Sequence, residues 1–342
     1  MKLSVLDQSI SAAGSSQASS IRQTLALAQH CEALRYHRFW VSEHHSHPSI
    51  VGTAPEILMA AIAARTQRIR IGSAGVMLPH YAPLKVAEQF RVLDALAPGR
   101  IDLGVGRAPG SDQRTSALLN ADRHRAQDFP QQVLELQAWV QEGADLPAGS
   151  ITTGIPVGHG GHGVHAYPQG PTAPALWMLG SSDYGAQLAA HLGLPYAFAH
   201  FITDGQGAAE ALDIYRSSFK PSAITPQPHA ALCVWALAAD TEEEAWHLFK
   251  SRERWKMDRH LGHIGALLPP DDADRNYSDA ELVRLNALRQ GALVGTGAQV
   301  AAKLRALGDA LQVDEIAIIT WTNDAAAQQR SYTLLAQEFN DF

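Results

Sequence analysis

The sequence predicts an α/β fold in which eight parallel strands close into a (β/α)8 TIM barrel, and three observations carry that prediction. Apolar runs of strand length alternate with longer Ala- and Leu-rich segments of helical periodicity. Eight such runs fit within 342 residues, which favours one closed barrel over two domains. Polar, small and glycine residues collect where the runs end, the place at which a barrel builds its chemistry.

The elements follow in order. Strands are expected at Lys2 to Leu6, Arg38 to Val41, Ile69 to Val76, Ile101 to Val105, Ala175 to Leu179, Tyr196 to Ala199, Ala230 to Leu237 and Glu315 to Trp321. Helical periodicity fills the intervals at Ala18 to Leu34, Ala54 to Ala64, Leu84 to Leu96, Arg125 to Val140, Gly185 to Leu192, Gly207 to Phe219, Glu242 to Met257 and Asp324 to Phe339. Two stretches break the period and are expected as insertions after strand 4 and after strand 7, at about 144–174 and 261–296. The first is rich in Gly, Pro and His; the second carries Pro269-Pro270-Asp271-Asp272 and then helical periodicity from Ser278 to Arg289. Irregular segments of this length in a compact protein are usually lids or interaction elements. The expected organisation is one barrel domain over 1–342.

Composition narrows the function. At 46% hydrophobic and 18% charged residues, the chain can bury a large core. The net charge of −7, with no Lys/Arg cluster interleaved with aromatics, points away from a nucleic-acid surface. Cys31 and Cys233 both lie in apolar-periodic segments and read as small buried residues of a reducing compartment. The first apolar run meets Asp7 too early for a signal peptide, and no later run is long enough to span a bilayer, so a cytoplasmic protein is expected.

The strand ends read Asp7-Gln8-Ser9, Glu43-His44-His45, Ser73-Ala74-Gly75, Gly106-Arg107-Ala108, Gly180-Ser181-Ser182, Ala199-His200 and Thr320-Trp321-Thr322. Such a face suits a planar, phosphorylated ligand. Small residues allow close backbone approach, Arg107 supplies a fixed cation, and Gly180-Ser181-Ser182 leads into a helix whose free N–H groups favour an anion. Other readings stand beside these. Arg107 could pair with Asp102 or Asp112, Glu43 could pair with Arg107 or a neighbouring histidine, and His200 could line the pocket or sit in the core. Trp246 and Trp255 read as packing. His159, His162 and His165 have a spacing compatible with metal ligands, but a Gly-rich loop would hold them poorly, so no metal is expected.

The stretches 39–45 (FWVSEHH), 71–79 (IGSAGVMLP), 83–90 (PLKVAEQF), 98–107 (PGRIDLGVGR), 177–182 (WMLGSS) and 293–296 (LVGT) resemble the bacterial luciferase-like flavin-dependent monooxygenases, and the likeness spans nearly the whole chain. The resemblance implies a single-chain oxidoreductase that takes reduced FMN from a separate flavin reductase. With O2 as co-substrate it would oxidise a small organic substrate through a C4a-peroxyflavin. It implies catalytic roles for His44 and Glu43, with His44 in acid/base handling of the oxygen adduct, a task for which an imidazole titrating near neutrality is suited. Ala74 and Gly75 match a non-proline cis peptide against the flavin ring. Arg107, Gly180, Ser181 and Ser182 match the phosphate and ribityl contacts.

Departures qualify the likeness. Gly106 stands where the light-emitting catalytic chain has a reactive cysteine, and Gly180 or Ser181 replaces an acid of that chain, so light emission is not implied. The superfamily leaves two alternatives, a deazaflavin-dependent hydride-transfer enzyme and a flavin-binding protein without turnover. It also implies a homodimer, to which the Ala-rich segments 54–64 and 84–96 are suited.

Overall fold

The computed structural model describes residues 1–120, 122, 125–150 and 154–339. Residues 151–153 of the first expected insertion and 340–342 of the expected domain lie outside the described residues.

The elements run β1 (Lys2–Asp7), α1 (Gln17–Ala33), β2 (Arg38–Val41), α2 (Pro55–Ala63), β3 (Arg70–Met77), α3 (Pro83–Leu96), β4 (Ile101–Gly106), α4 (Gln113–Leu119) and α5 (Phe129–Gln141). They continue with β5 (Ala175–Gly180), α6 (Asp183–Leu192), β6 (Tyr196–Phe198), α7 (His200–Thr203), α8 (Ala208–Ser217), β7 (Ala230–Ala239) and α9 (Glu242–His260). The chain closes with α10 (Asp279–Gln290), β8 (Leu293–Thr296), α11 (Gly297–Leu311), β9 (Glu315–Ile319) and α12 (Ala325–Phe339). Strands β1 to β7 and β9 pair in parallel around a closed ring, β9 lying between β7 and β1. This is the expected eight-stranded barrel.

Five elements differ from the sequence reading, helices α7 and α11 being two that it did not contain. Helix α5 begins at Phe129 rather than Arg125, because Pro130 in its first turn fits a helix start and not an interior. Helix α4 was not expected; Asp112 caps it by accepting a hydrogen bond from the Thr115 N–H at 2.8 Å. The second insertion contains a strand. The ten-residue β7 pairs with β9 through Ala231–Trp235, then outruns the barrel and pairs through Ala236–Ala239 with β8.

The alternation of side chains along each strand divides the core in two. Phe39, Val41, Ile316 and Ile318 face the helices, while Leu6, Trp40, Trp177, Ala317 and Ile319 belong to a separate cluster inside the ring. The N-terminal end of the ring is closed by a buried charge network. Arg38 reaches Asp102 and Glu315, each at 2.8 Å, and Arg70 reaches Asp102 at 2.6 Å. Burial alone would raise the Glu315 carboxyl, but hydrogen bonding from His229, the Arg38 charge and the Ser4 hydroxyl outweigh it and hold the group at about 2. A sealed floor leaves the opposite, C-terminal end as the open face.

Candidate functional site

A cavity of about 720 Å³ opens at the C-terminal ends of the strands, well within the roughly 300–1,000 Å³ typical of small-molecule sites. His44, Ala74, Gly75, Arg107, Gly180, Ser181 and Ser182 all line it, although they come from four different strand ends.

One wall is bare backbone. The Ala74–Gly75 peptide is cis, and the register between β3 and β4 shifts at the same place. A Cβ added to Gly75 would lie 2.7 Å from the Gly104 carbonyl oxygen and collide with Leu179, so only glycine lets the strands approach this closely. The resulting surface is flat and weakly polar.

At the end of β2 the acid and the two imidazoles part company. Glu43 does not line the cavity; its carboxylate is buried behind the wall. Its Oε1 accepts from the Tyr81 hydroxyl at 2.6 Å and from His45 Nε2 at 2.7 Å, and its Oε2 accepts from the Met77 N–H at 3.1 Å. Met77 and Tyr81 tie the end of β2 to the end of β3 and to the segment that follows it, while His45 closes the same loop, which makes Glu43 a brace for the site. His44 does face the cavity, with Nδ1 3.2 Å from the Ser42 hydroxyl. Burial, helped by the nearby His47, His45 and Arg259, pulls its pKa down to about 4. The sequence suggested an imidazole titrating near neutrality; in the folded chain this ring is neutral there, so it offers a lone pair and one N–H rather than a charge.

The opposite pole is cationic. Arg107 lies flat over the Tyr184 ring, its guanidinium carbon 3.9 Å from the centroid, at the first turn of α6. It makes none of the three ion pairs open to it in sequence: Asp102 is taken by Arg38 and Arg70, Asp112 caps α4, and Glu43 is held by Tyr81 and His45. Ser182 is the N-cap of α6, but its hydroxyl accepts no capping hydrogen bond. Arg107, the Ser181 and Ser182 hydroxyls and the first turn of α6 therefore form a group of donors suited to a phosphate.

Helix α9 roofs the cavity. Arg252, Trp255, Lys256 and Arg259 recur at helical spacing and present one face to it. Trp255 packs edge-on against Trp321 at 4.7 Å and donates from Nε1 to the Ser49 hydroxyl at 2.7 Å, fixing the roof to the loop after β2. Trp255 is thus a cavity residue as well as a packing one, whereas Trp246 packs on Phe249 at 5.6 Å. His200 is outside the cavity lining, and burial lowers its pKa. The three loop histidines turn to separate partners: His159 to Glu135 at 3.1 Å, His162 to the Ile155 carbonyl at 3.1 Å and His165 to Glu142 at 2.6 Å.

Residues 1–314 match the model of the luciferase-like monooxygenase family. The chain belongs to that family. Among relatives of this luciferase-like protein, a luciferase-like monooxygenase of Escherichia coli is 39% identical, with 97% of this chain and 95% of the relative covered. The N-acetyl-S-alkylcysteine monooxygenase of Bacillus subtilis is 36% identical, with 98% and 97% covered. The solved structure of apo-MsnO8 superimposes with a TM-score of 0.88 at 37% identity, covering 99% of this chain and 98% of that one. The oxygenating constituent of 3,6-diketocamphane monooxygenase, solved with FMN, shares the fold at a TM-score of 0.71 and 21% identity, with 99% and 97% covered. Membership of the luciferase-like monooxygenase family makes the chain an oxidoreductase and agrees with the barrel built from its residues.

Sequence reasoning placed Trp321 at a strand end of the functional face but missed Trp235 and the cations of α9, all of which line the cavity of this luciferase-like protein. The i, i+4, i+7 spacing of Arg252, Lys256 and Arg259 was a visible signal. On a helix that follows a barrel strand, such a row reads equally as a solvated outer face.

Proposed function

We propose that this cavity binds reduced FMN and O2 and oxidises a small organic substrate, in the manner of a flavin-dependent monooxygenase. A single observation carries the reading: one cavity joins a phosphate-binding pole at Arg107, Ser181 and Ser182 to a flat backbone wall at Ala74–Gly75, with a neutral His44 beside it. The donors fit a flavin phosphate, and the wall, where the absence of a Cβ at position 75 lets β3 and β4 close up, fits a planar ring. Bound reduced flavin would supply the activation of O2, chemistry no side chain here offers. The chain's own residues would do the rest. Arg107 and the serines would orient the cofactor, His44 would accept or return a proton at its ring nitrogen, and the roof would exclude water. Glu43 would act as a positioning residue through His45, Tyr81 and Met77.

Reducing equivalents are proposed to arrive as reduced FMN from a separate reductase, and the barrel to work as one domain over its length in the cytoplasm. The relative named for N-acetyl-S-alkylcysteine oxidation supports a small organic substrate. We also propose a homodimer through α2 and α3, where Ile57, Val92 and Leu96 stand exposed at 67%, 47% and 62%.

The test is to mix the protein with photoreduced FMN and air and to follow flavin reoxidation against hydrogen peroxide release. Slower reoxidation than for free flavin, with faster peroxide loss in His44→Ala, is the expected result. Behaviour indistinguishable from free flavin in both proteins would overturn the reading. Tight binding of a deazaflavin but not FMN would replace it with hydride transfer.

A further inference from the structure

The roof of the cavity carries more positive charge than its fold requires. Lys256 is paired, its ammonium held by both carboxylate oxygens of Asp204 at 2.5 Å. Arg252 and Arg259 are not: neither makes an ion pair among the described residues, and each rests on an indole instead. The Arg252 guanidinium carbon stands 4.2 Å from the Trp235 centroid, and that of Arg259 stands 5.5 Å from Trp255. Arg252 is only 7% exposed, so the space it can reach is the cavity itself. A buried guanidinium with no carboxylate in ion-pair contact is costly to keep, and burial, offset only in part by the charges of Asp204 and Glu253, brings its pKa down to about 10. Stacking occupies the face of the group and leaves its N–H edge free to donate, the geometry that binds a carboxylate through two parallel hydrogen bonds.

We propose that the inward face of α9 is the substrate-recognition surface, and that the organic substrate is an amphipathic carboxylate. Arg252 binds its head group with help from Arg259, and its apolar body lies against Trp235, Trp255 and Trp321. The inference rests on the reading that this cavity holds an organic substrate beside a flavin. Charge accounting supports it. The flavin phosphate finds the Arg107 pole, with its serine hydroxyls and helix N–H groups, whereas the roof offers two guanidinium groups on aromatic beds and no comparable backbone donors. Among the lining residues, Asp112 is the one acid, and it is engaged in capping α4. An uncharged substrate would leave Arg252 desolvated and unpaired in every turnover, whereas a monoanionic head group neutralises it. The arrangement also orders the substrate: with its head at the roof, its tail points down toward the flat wall where oxidation would occur.

The experiment is a binding titration without turnover, read by quenching of the tryptophans that line the site. Hexanoate, phenylbutyrate and undecanoate are each compared with their neutral amides, using wild-type protein with and without bound oxidised FMN. At least one acid should bind about 10-fold or more tightly than its amide. Arg252→Met should remove that preference while leaving amide binding and FMN affinity within about twofold. Arg259→Gln, at the exposed end of the roof, tests the same preference should Arg252→Met fail to fold, and should weaken the acid several-fold. Equal binding of acids and amides across the panel, or an acid preference unchanged in both variants, overturns the proposal. Loss of FMN affinity in Arg252→Met, with acids competing against FMN, also overturns it and assigns the roof to the flavin phosphate. Failure of the flavin reading is distinguishable, since the FMN titration would then fail while the acid preference persisted.

Discussion

The Tyr81 hydroxyl donates to Glu43 Oε1 at 2.6 Å, so the segment after β3 holds the one acid at the end of β2 out of the cavity. Burial and the adjacent Glu43 charge push the Tyr81 phenol well above its ordinary value, and it stays a donor at every working pH. Tyr81→Phe should therefore cost about 1.5–3 kcal/mol of stability, the range for a hydrogen bond to a buried charge. Chemical denaturation of wild type and variant measures it. Glu43→Gln should lower FMN affinity without altering the pH dependence of any reaction. Loss of an ionisation from the rate profile of that variant would show that Glu43 itself exchanges protons.

His44 gives a pH signature. Its folded pKa of about 4 lies below the ordinary histidine value of 6.5. Between the two, the unfolded chain binds the extra proton and the folded chain does not, so this contribution to stability is present above 6.5 and is lost as pH falls through about 4. His44→Asn should flatten that part of the stability profile. A wild-type slope retained in full by the variant would place the acid sensitivity elsewhere.

At the barrel floor the sign is that of a depressed carboxylate. Glu315, at about 2 when folded and 4.5 otherwise, stabilises the fold fully above 4.5 and ceases to do so as pH falls through about 2. Glu315→Gln removes the charge that faces Arg38 and should destabilise the protein by roughly 3–5 kcal/mol. Calorimetric unfolding at neutral pH would show the drop.

At the phosphate pole, Arg107→Met keeps the stem over Tyr184 and removes the charge. FMN should bind about 10–100-fold more weakly, the worth of a charge-assisted hydrogen bond. Equilibrium dialysis with FMN and with riboflavin separates the cases: the loss should be confined to FMN, which alone has the phosphate.

Val92→Glu combined with Leu96→Glu places two acids on the exposed face of α3. Sedimentation should show a dimer in wild type and a monomer in the variant, with the cavity unaffected. A wild-type monomer would refute the proposed interface.

Most of the barrel was legible because burial imposes short apolar strands and periodic helices, and both show in the letters from Lys2 to Ile319. The cavity residues at strand ends were legible for a related reason: barrel polarity fixes which end of β2, β3, β4 and β5 is open. Two things were not. The pairing of β8 with the overrun of β7 depends on partner strands distant in sequence, and Leu293–Thr296 is too short to declare itself. The roles of Glu43 and Trp255 depend on direction. Adjacent letters at 43 and 44 point to opposite sides of one wall, and Trp255 packs and lines the cavity at once.

The overrun of β7 separates two inheritances. The backbone wall, His44 and the Arg107 pole with the first turn of α6 are encoded before residue 193, on the barrel proper, while the roof arises from 242–260, carried on a strand that has already left the ring and is clamped there by β8. A lineage could exchange 240–296 for another insertion and so replace the roof of the cavity without altering the backbone wall, His44 or the Arg107 end. Chimeras cut at Ala239 and Thr296 would be the laboratory form of that exchange.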